Sequence, residues 1–347
     1  MIGTLKAMKL WRRTAGALKD GNSLIAAEDC LTIAVVKATS HDELSMDSGN
    51  AEFIYRYVRT SPSSLRPLAG IISSRAGRTR SWAVALKGLM LIHGFFLRKV
   101  PAAESIGRLP FDLSGFGVTR SLLSRSCGFN LFVRAYFVFL DQRSILFHDV
   151  NLLDEESSVM IQLTIIRKMQ NLVDSLMRIK PIAENMSTPL INEAMDNVII
   201  EILEIYGRIC VGIAEALPKV HSKTGKPEAK MALKIVTKSI KQGEDLCRYF
   251  EFCKDFGIPN THEIPDFVRI PEADVMVLEK LVHGAPAAVR KEKDEQPKME
   301  TSTSMAPEIE EGEERGRGRN PDLIEMDHDE PGNVSATRDE IPDLIRL

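Results

Sequence analysis

No apolar run in this sequence is long enough to cross a bilayer. The most apolar stretch, Trp82–Leu97, is interrupted by Lys87 and falls short of the ~20 residues that a span requires. Met1–Asp20 has basic residues scattered through it and no apolar core segment, so no signal peptide is expected. The five cysteines, Cys30, Cys127, Cys210, Cys247 and Cys253, fit neither a zinc spacing nor a disulfide framework. They read as ordinary thiols of a reducing compartment, and the chain is expected to be cytosolic, touching membranes only from the surface.

Catalytic patterns are missing as well. Gly115-Phe116-Gly117 is too short for a phosphate loop, and no Gly-x-Ser-x-Gly elbow occurs. His41 and His93 stand isolated in sequence, as capping or packed histidines would. The acidic run Glu308–Glu314 reads as solvation, so no metal and no cofactor are expected. The front arginines are not interleaved with aromatics, which argues against nucleic acid. No period-2 run of β-branched residues supports a sheet. The expectation is a non-enzymatic, all-α protein.

What is present is helical periodicity and a lopsided charge. Val159, Leu163, Ile166, Met169, Val173 and Leu176 recur every three or four residues, as do Ile191, Met195, Val198, Ile202, Ile205 and Ile209. Leu5, Met8, Trp11, Ala15 and Leu18 form another stripe, with Met231–Phe252 a further helical stretch. Pro101, Pro110, Pro181 and Pro189 flank such stretches, and Lys219–Lys230 reads as a polar loop. Residues 1–150 carry 20 Lys and Arg against 11 Asp and Glu; residues 151–283 carry 16 against 20; residues 284–347 carry 9 against 17. A basic front suggests an anionic partner. The last segment is poor in large apolar residues and is expected to be a disordered acidic tail, because it cannot offset an ordering cost of about 1–2 kcal/mol per residue.

Several short stretches, in order, carry a family resemblance. They are Val36-Lys37-Ala38-Thr39-Ser40-His41, Arg78-Thr79-Arg80-Ser81-Trp82, Ala85-Leu86-Lys87-Gly88-Leu89 with Leu91-Ile92-His93, and Phe111-Asp112-Leu113-Ser114. Phe132-Val133-Arg134-Ala135-Tyr136, Leu172-Val173-Asp174-Ser175-Leu176, Ile179-Lys180-Pro181 and Tyr249-Phe250-Glu251-Phe252-Cys253-Lys254 follow. Together they resemble the ANTH domain of clathrin-assembly proteins, in its plant branch, over roughly residues 5–280. The resemblance implies an ENTH/ANTH-type helical superhelix with an ENTH-like half at 1–150, a second helical half at 151–283 and the tail at 284–347. It implies phosphatidylinositol 4,5-bisphosphate at the front end and clathrin heavy chain on the tail. It also implies adaptor complex in many members, and a vesicle SNARE on helices between about residues 190 and 255. Coated pits, coated vesicles and the Golgi or plasma membrane would be its places of work.

The family's inositide motif is a Lys, nine residues, a Lys, one residue, a Lys or Arg, then His or Tyr. Lys37 holds the first position, and Asp47, Gly49 and Asn50 hold the others. No Lys or Arg lies between Asp42 and Glu52, so the motif is incomplete. The candidate membrane-binding set is therefore Lys37 and His41, supplemented by Arg75, Arg78 and Arg80 and by Lys6, Lys9, Arg12 and Arg13 of the N-terminal stripe. In the tail, Leu323-Ile324-Glu325-Met326-Asp327 fits a clathrin box: Leu, apolar, any residue, apolar, acid. Leu344-Ile345-Arg346-Leu347 repeats the apolar spacing and ends at the terminal carboxylate. The candidate clathrin contacts are Leu323, Ile324, Met326, Asp327, Leu344, Ile345 and Leu347. Glu340–Ile345 also fits an acidic dileucine pattern for an adaptor complex, whereas Asp-Pro-Phe and Asn-Pro-Phe motifs are absent.

Overall fold

The structure, a computed structural model, describes residues 2–25, 29–118, 126–152, 158–223, 225–259, 261 and 272–283. Of these, the side chains of 2–13, 221–223 and 272–274 are not described. Among the described residues there are ten α-helices and no strand. In chain order they are α1 (Ile2–Ile25), α2 (Cys30–Ala38), α3 (Ser48–Thr60), α4 (Leu65–Arg78) and α5 (Trp82–Leu97). Then come α6 (Cys127–Asn151), α7 (Val159–Leu176), α8 (Pro189–Lys223), α9 (Lys226–Phe256) and α10 (Glu272–His283).

Local chemistry sets many of the boundaries. Asp29, Asp47 and Ser158 cap α2, α3 and α7 by accepting the backbone N–H of Thr32, Asn50 and Ile161. Gly257 ends α9 in the left-handed conformation, at φ 82°, which costs a glycine nothing. The sequence reading of 219–230 as a loop is corrected. Helix α8 continues to Lys223 and α9 begins at Lys226. Pro227 sits in the first turn of α9, where its missing N–H has no helical acceptor to lose.

The hub is α5, in which every residue from Trp82 to Phe96 is buried. It packs against α3, α4, α6 and α8. Trp82 stacks on Phe129 of α6 at 4.1 Å, and Phe95 meets Tyr55 of α3 edge-on at 4.9 Å. The rear half is built on α7, which lies against both α8 and α9. The periodic stripes do what their spacing predicts: from Leu163 to Leu176 and from Ile191 to Ile209 they are buried. Helix α1 is different. It touches α2, and its stripe residue Leu18 is 69% exposed, with Ile25 at 86%.

Candidate functional site

The C-terminal end of α2 is where a front-end anion site would be built. Carbonyls here have no helical partner. Arg75, from the last turn of α4, answers them: its Nη2 donates to Thr39 O at 2.8 Å and its Nε to Thr39 Oγ1 at 2.6 Å. The same Nη2 also donates to Asp20 Oδ1 of α1 at 2.7 Å. The His41 backbone N–H donates to Asp20 Oδ2 at 2.8 Å, and His41 Nδ1 lies 2.8 Å from Oδ1. A carboxylate tolerates that distance only with the ring proton on Nδ1. Burial alone would raise the Asp20 carboxyl, but the bonds from His41 and Arg75 outweigh it and hold the group below the usual carboxylate range. Gly16 permits this docking, because a Cβ there would lie 2.7 Å from His41 Cβ.

Beside this corner is a cavity of about 340 Å³. Lys37 is its cation, facing Asp20, Asp42 and Asp47. The reason for the acidic residue at the motif's second position is local: Asp47 accepts the Asn50 N–H at 3.0 Å and Asn50 Nδ2 at 2.8 Å, starting α3. These bonds keep the Asp47 carboxyl low and charged, chiefly through the Asn50 N–H. Two positions where the family places cation and ring thus form a helix cap. Below the cavity Lys87 is buried and donates to Ser40 Oγ at 3.1 Å. Burial lowers its pKa, opposed by Asp42, Glu193, Asp20 and Asp47. Glu193 of α8 accepts the Met46 N–H at 3.1 Å, and burial raises its carboxyl.

The predicted site residues therefore separate. His41 and Arg75 come together, but around Asp20, which sequence reasoning missed. Lys37 is exposed on the cavity rim, and Arg78 and Arg80 are exposed around the turn into α5. Lys6, Lys9, Arg12 and Arg13 lie on α1 with side chains outside the described residues. The tail candidates Leu323, Ile324, Met326, Asp327, Leu344, Ile345 and Leu347 also lie outside them.

His93 is not isolated in space. It is fully buried, with Nδ1 2.7 Å from Tyr136 OH and Nε2 3.3 Å from Glu201 Oε2. Arg143 Nε donates to Glu201 Oε1 at 2.7 Å, and its guanidinium lies over Phe96 at 4.2 Å. Burial would raise Glu201, yet His93 and Arg143 bring it down to about 2. The network joins α5, α6 and α8. On α8, Ile200, Leu203 and Val211 share an outer face at 53%, 40% and 59% exposure. Among the described residues no helix is long and apolar enough to cross a membrane, and no group of three or more His, Cys, Asp or Glu could hold a metal ion.

A family model of the ANTH domain matches residues 30–284. An Arabidopsis thaliana chain provisionally named a clathrin assembly protein is 63% identical over 344 residues, covering 97% of this chain and 99% of that one. A second so named, from the same organism, is 52% identical over 285 residues, covering 81% and 88%. Among solved structures, the ENTH domain of epsin-2 in complex with phosphatidylinositol 4,5-bisphosphate aligns at a TM-score of 0.45 and 18% identity, covering 69% of this chain and 96% of that one.

Proposed function

The chain belongs to the ANTH-domain family, and from that premise we propose that it is a non-enzymatic clathrin adaptor. It sits peripherally on phosphoinositide-containing membrane of coated pits and vesicles and recruits clathrin heavy chain through its tail. The basic 1–150 half faces the lipid, the 151–283 half completes the domain, and 284–347 carries the recruitment motifs. One observation carries this reading: the 63% identity to a clathrin-assembly relative. An alignment over 97% of this chain cannot be confined to the helical domain and must run well into the tail. That tail holds one complete box, Leu323–Asp327, and one that ends at the terminus, Leu344–Leu347. Two weak motifs on one flexible segment raise effective concentration toward a multivalent lattice.

A second role is supported by the outer face of α8. Among the described residues, Ile200, Leu203 and Val211 form an exposed apolar row of the kind that accepts an amphipathic helix, which suits a vesicle SNARE as cargo. The dileucine-like Glu340–Ile345 suits an adaptor complex.

Clathrin capture by the immobilised full-length chain tests the principal reading. Leu323→Ala with Ile324→Ala is expected to reduce capture about tenfold, as loss of two buried apolar anchors would. Removing the last four residues should reduce it further. Failure of the unaltered chain to capture clathrin overturns the adaptor function.

A further inference from the structure

We propose that the outer face of α8 pairs with the same face of a second copy of this chain, antiparallel, about a two-fold axis at Gly207. Pairing of this kind depends on neither the lipid nor the clathrin boxes, and it gives the α8 row an occupant other than a cargo helix.

The row is symmetric along the helix. Leu203 and Val211 lie four residues before and after Gly207, and Ile200 and Ala214 lie seven before and after. All five are exposed. At about 100° per residue they fall within about 40° of one line along α8. In an antiparallel pair crossing at Gly207, Leu203 meets the partner's Val211 and Ile200 meets the partner's Ala214, each contact made twice. Gly207 itself has no reason inside the chain. A Cβ there would find nothing within 4 Å, whereas one at Gly212 would press to 3.1 Å from Ile166 Cγ1 of α7. Glycine within a helix is unfavourable relative to alanine. A bare position at the centre of an apolar row fits a surface that another helix approaches closely.

Charge selects the same arrangement. One flank of the row carries Glu204 and Arg208. Arg208 Nε and Nη2 both donate to Glu204 Oε1, at 3.1 and 3.0 Å, and Lys99 Nζ lies 3.4 Å from that same oxygen. Glu204 Oε2 and Arg208 Nη1 take no part in these contacts. The Arg208 guanidinium also lies over Phe147 of α6 at 5.0 Å, which holds it in place. A two-fold axis normal to the helix pair sets this flank against its own copy. Arg208 then comes within two residues, about 3 Å along the axis, of the partner's Glu204, and the contact is reciprocal. Parallel pairing would instead oppose Arg208 to Arg208 and Glu204 to Glu204. From Ile200 to Ala214 the row is about 21 Å long and ends one turn before Pro218, which is short for a stable dimer. The pair is therefore weak in dilute solution and forms where chains are crowded. On a coat it would bring two tails to one lattice.

The test is sedimentation velocity of the full-length chain in reducing buffer, at concentrations up to about 1 mM, the weak end of specific association. Mass should rise from monomer toward dimer across that range. Leu203→Glu with Val211→Glu should weaken association about tenfold or more. Both side chains are exposed, so the fold should survive, and circular dichroism checks that each variant keeps its helices. A chain carrying Arg208→Glu and a chain carrying Glu204→Arg should pair with each other about tenfold more tightly than either pairs with itself. Gly207→Cys should form a disulfide-linked dimer under mild oxidation with copper phenanthroline, above the background of the unaltered chain. Leu203→Cys alone should not, because only a residue on the axis meets its own copy, whereas Leu203→Cys with Val211→Cys in one chain should. A chain that stays monomeric at the highest concentration overturns the inference. So does a dimer indifferent to the Leu203 and Val211 changes, or one that cross-links through Leu203→Cys alone as readily as through Gly207→Cys. A monomer that captures a vesicle SNARE helix, and loses it with the same two changes, gives the face to cargo and overturns the inference as well. Clathrin capture by the same preparations reports separately on the tail.

Discussion

Two carboxylates in this domain have the same partners and opposite surroundings. Asp20 is held by His41 and Arg75, with side-chain exposures of 17%, 20% and 14%. Glu201 is held by His93 and Arg143, at 1%, 0% and 6%. The outer triad fastens the edge of one helix, and water can replace any member. The inner triad lies under α5, α6 and α8, and nothing can replace a lost member. Identical hydrogen-bonding groups therefore make a fastening in one place and a structural joint in the other. Burial, not bond chemistry, decides which.

That contrast can be broken most forcefully at the inner triad. Glu201→Gln keeps the shape but leaves Arg143 buried without a counter-charge. It should destabilise the domain by about 3–5 kcal/mol in thermal or urea unfolding. A loss under about 1 kcal/mol would erase the distinction between the two triads.

Acid gives the next largest effect. The folded Glu201 carboxyl titrates at about 2, against an ordinary 4.5. A depressed folded value means that its stabilisation is complete above about pH 4.5 and fades as pH falls toward 2, amounting to roughly 3 kcal/mol. Unfolding followed from neutral pH downward should show this acid-side loss, and Glu201→Gln should flatten it.

The smallest effect belongs to the outer triad. Asp20→Asn should change global stability by less than about 1 kcal/mol, the range of solvent-accessible ion pairs. Salt should mimic it selectively. At about 1 M, where the screening length is roughly 3 Å, exchange in α1 should quicken while that in α5 does not.

Much of the fold was legible because packing in α7 and α8 repeats at the helical period, so Leu163–Leu176 and Ile191–Ile209 announced their buried faces. The α8–α9 junction was misread because lysine-rich helix ends and loops look alike. Pro227, inside that stretch, opens a helix instead of breaking one. Within the site, what sequence could reveal was an absence: Asp47 and Gly49 where the motif has cations, and Asn50 where it has a ring. It could not reveal the occupant. Asp20 lies 21 residues from His41 and 55 from Arg75, and Glu201 lies 108 from His93. No local pattern encodes contacts made only when distant helices meet. Lys87 was hidden for a related reason. A lone lysine in an apolar run reads as an interruption, yet it is enclosed and bonded to Ser40.

Helix α8, at 35 residues, is about 52 Å long at 1.5 Å per residue. Near its first turn Glu193 grips the Met46 N–H of the turn between α2 and α3; its middle carries Glu201, and α9 and α10 pack along it. Mechanically it is a strut. Tension entering the domain from beyond α10 and resisted at the α2–α3 turn would run along a column of aligned backbone hydrogen bonds that Pro218, which has no N–H, interrupts near its C-terminal end. Ahead of Pro218 such a column yields little before its end contact does, so under load that part of the domain should give way at Glu193 rather than bend in the middle.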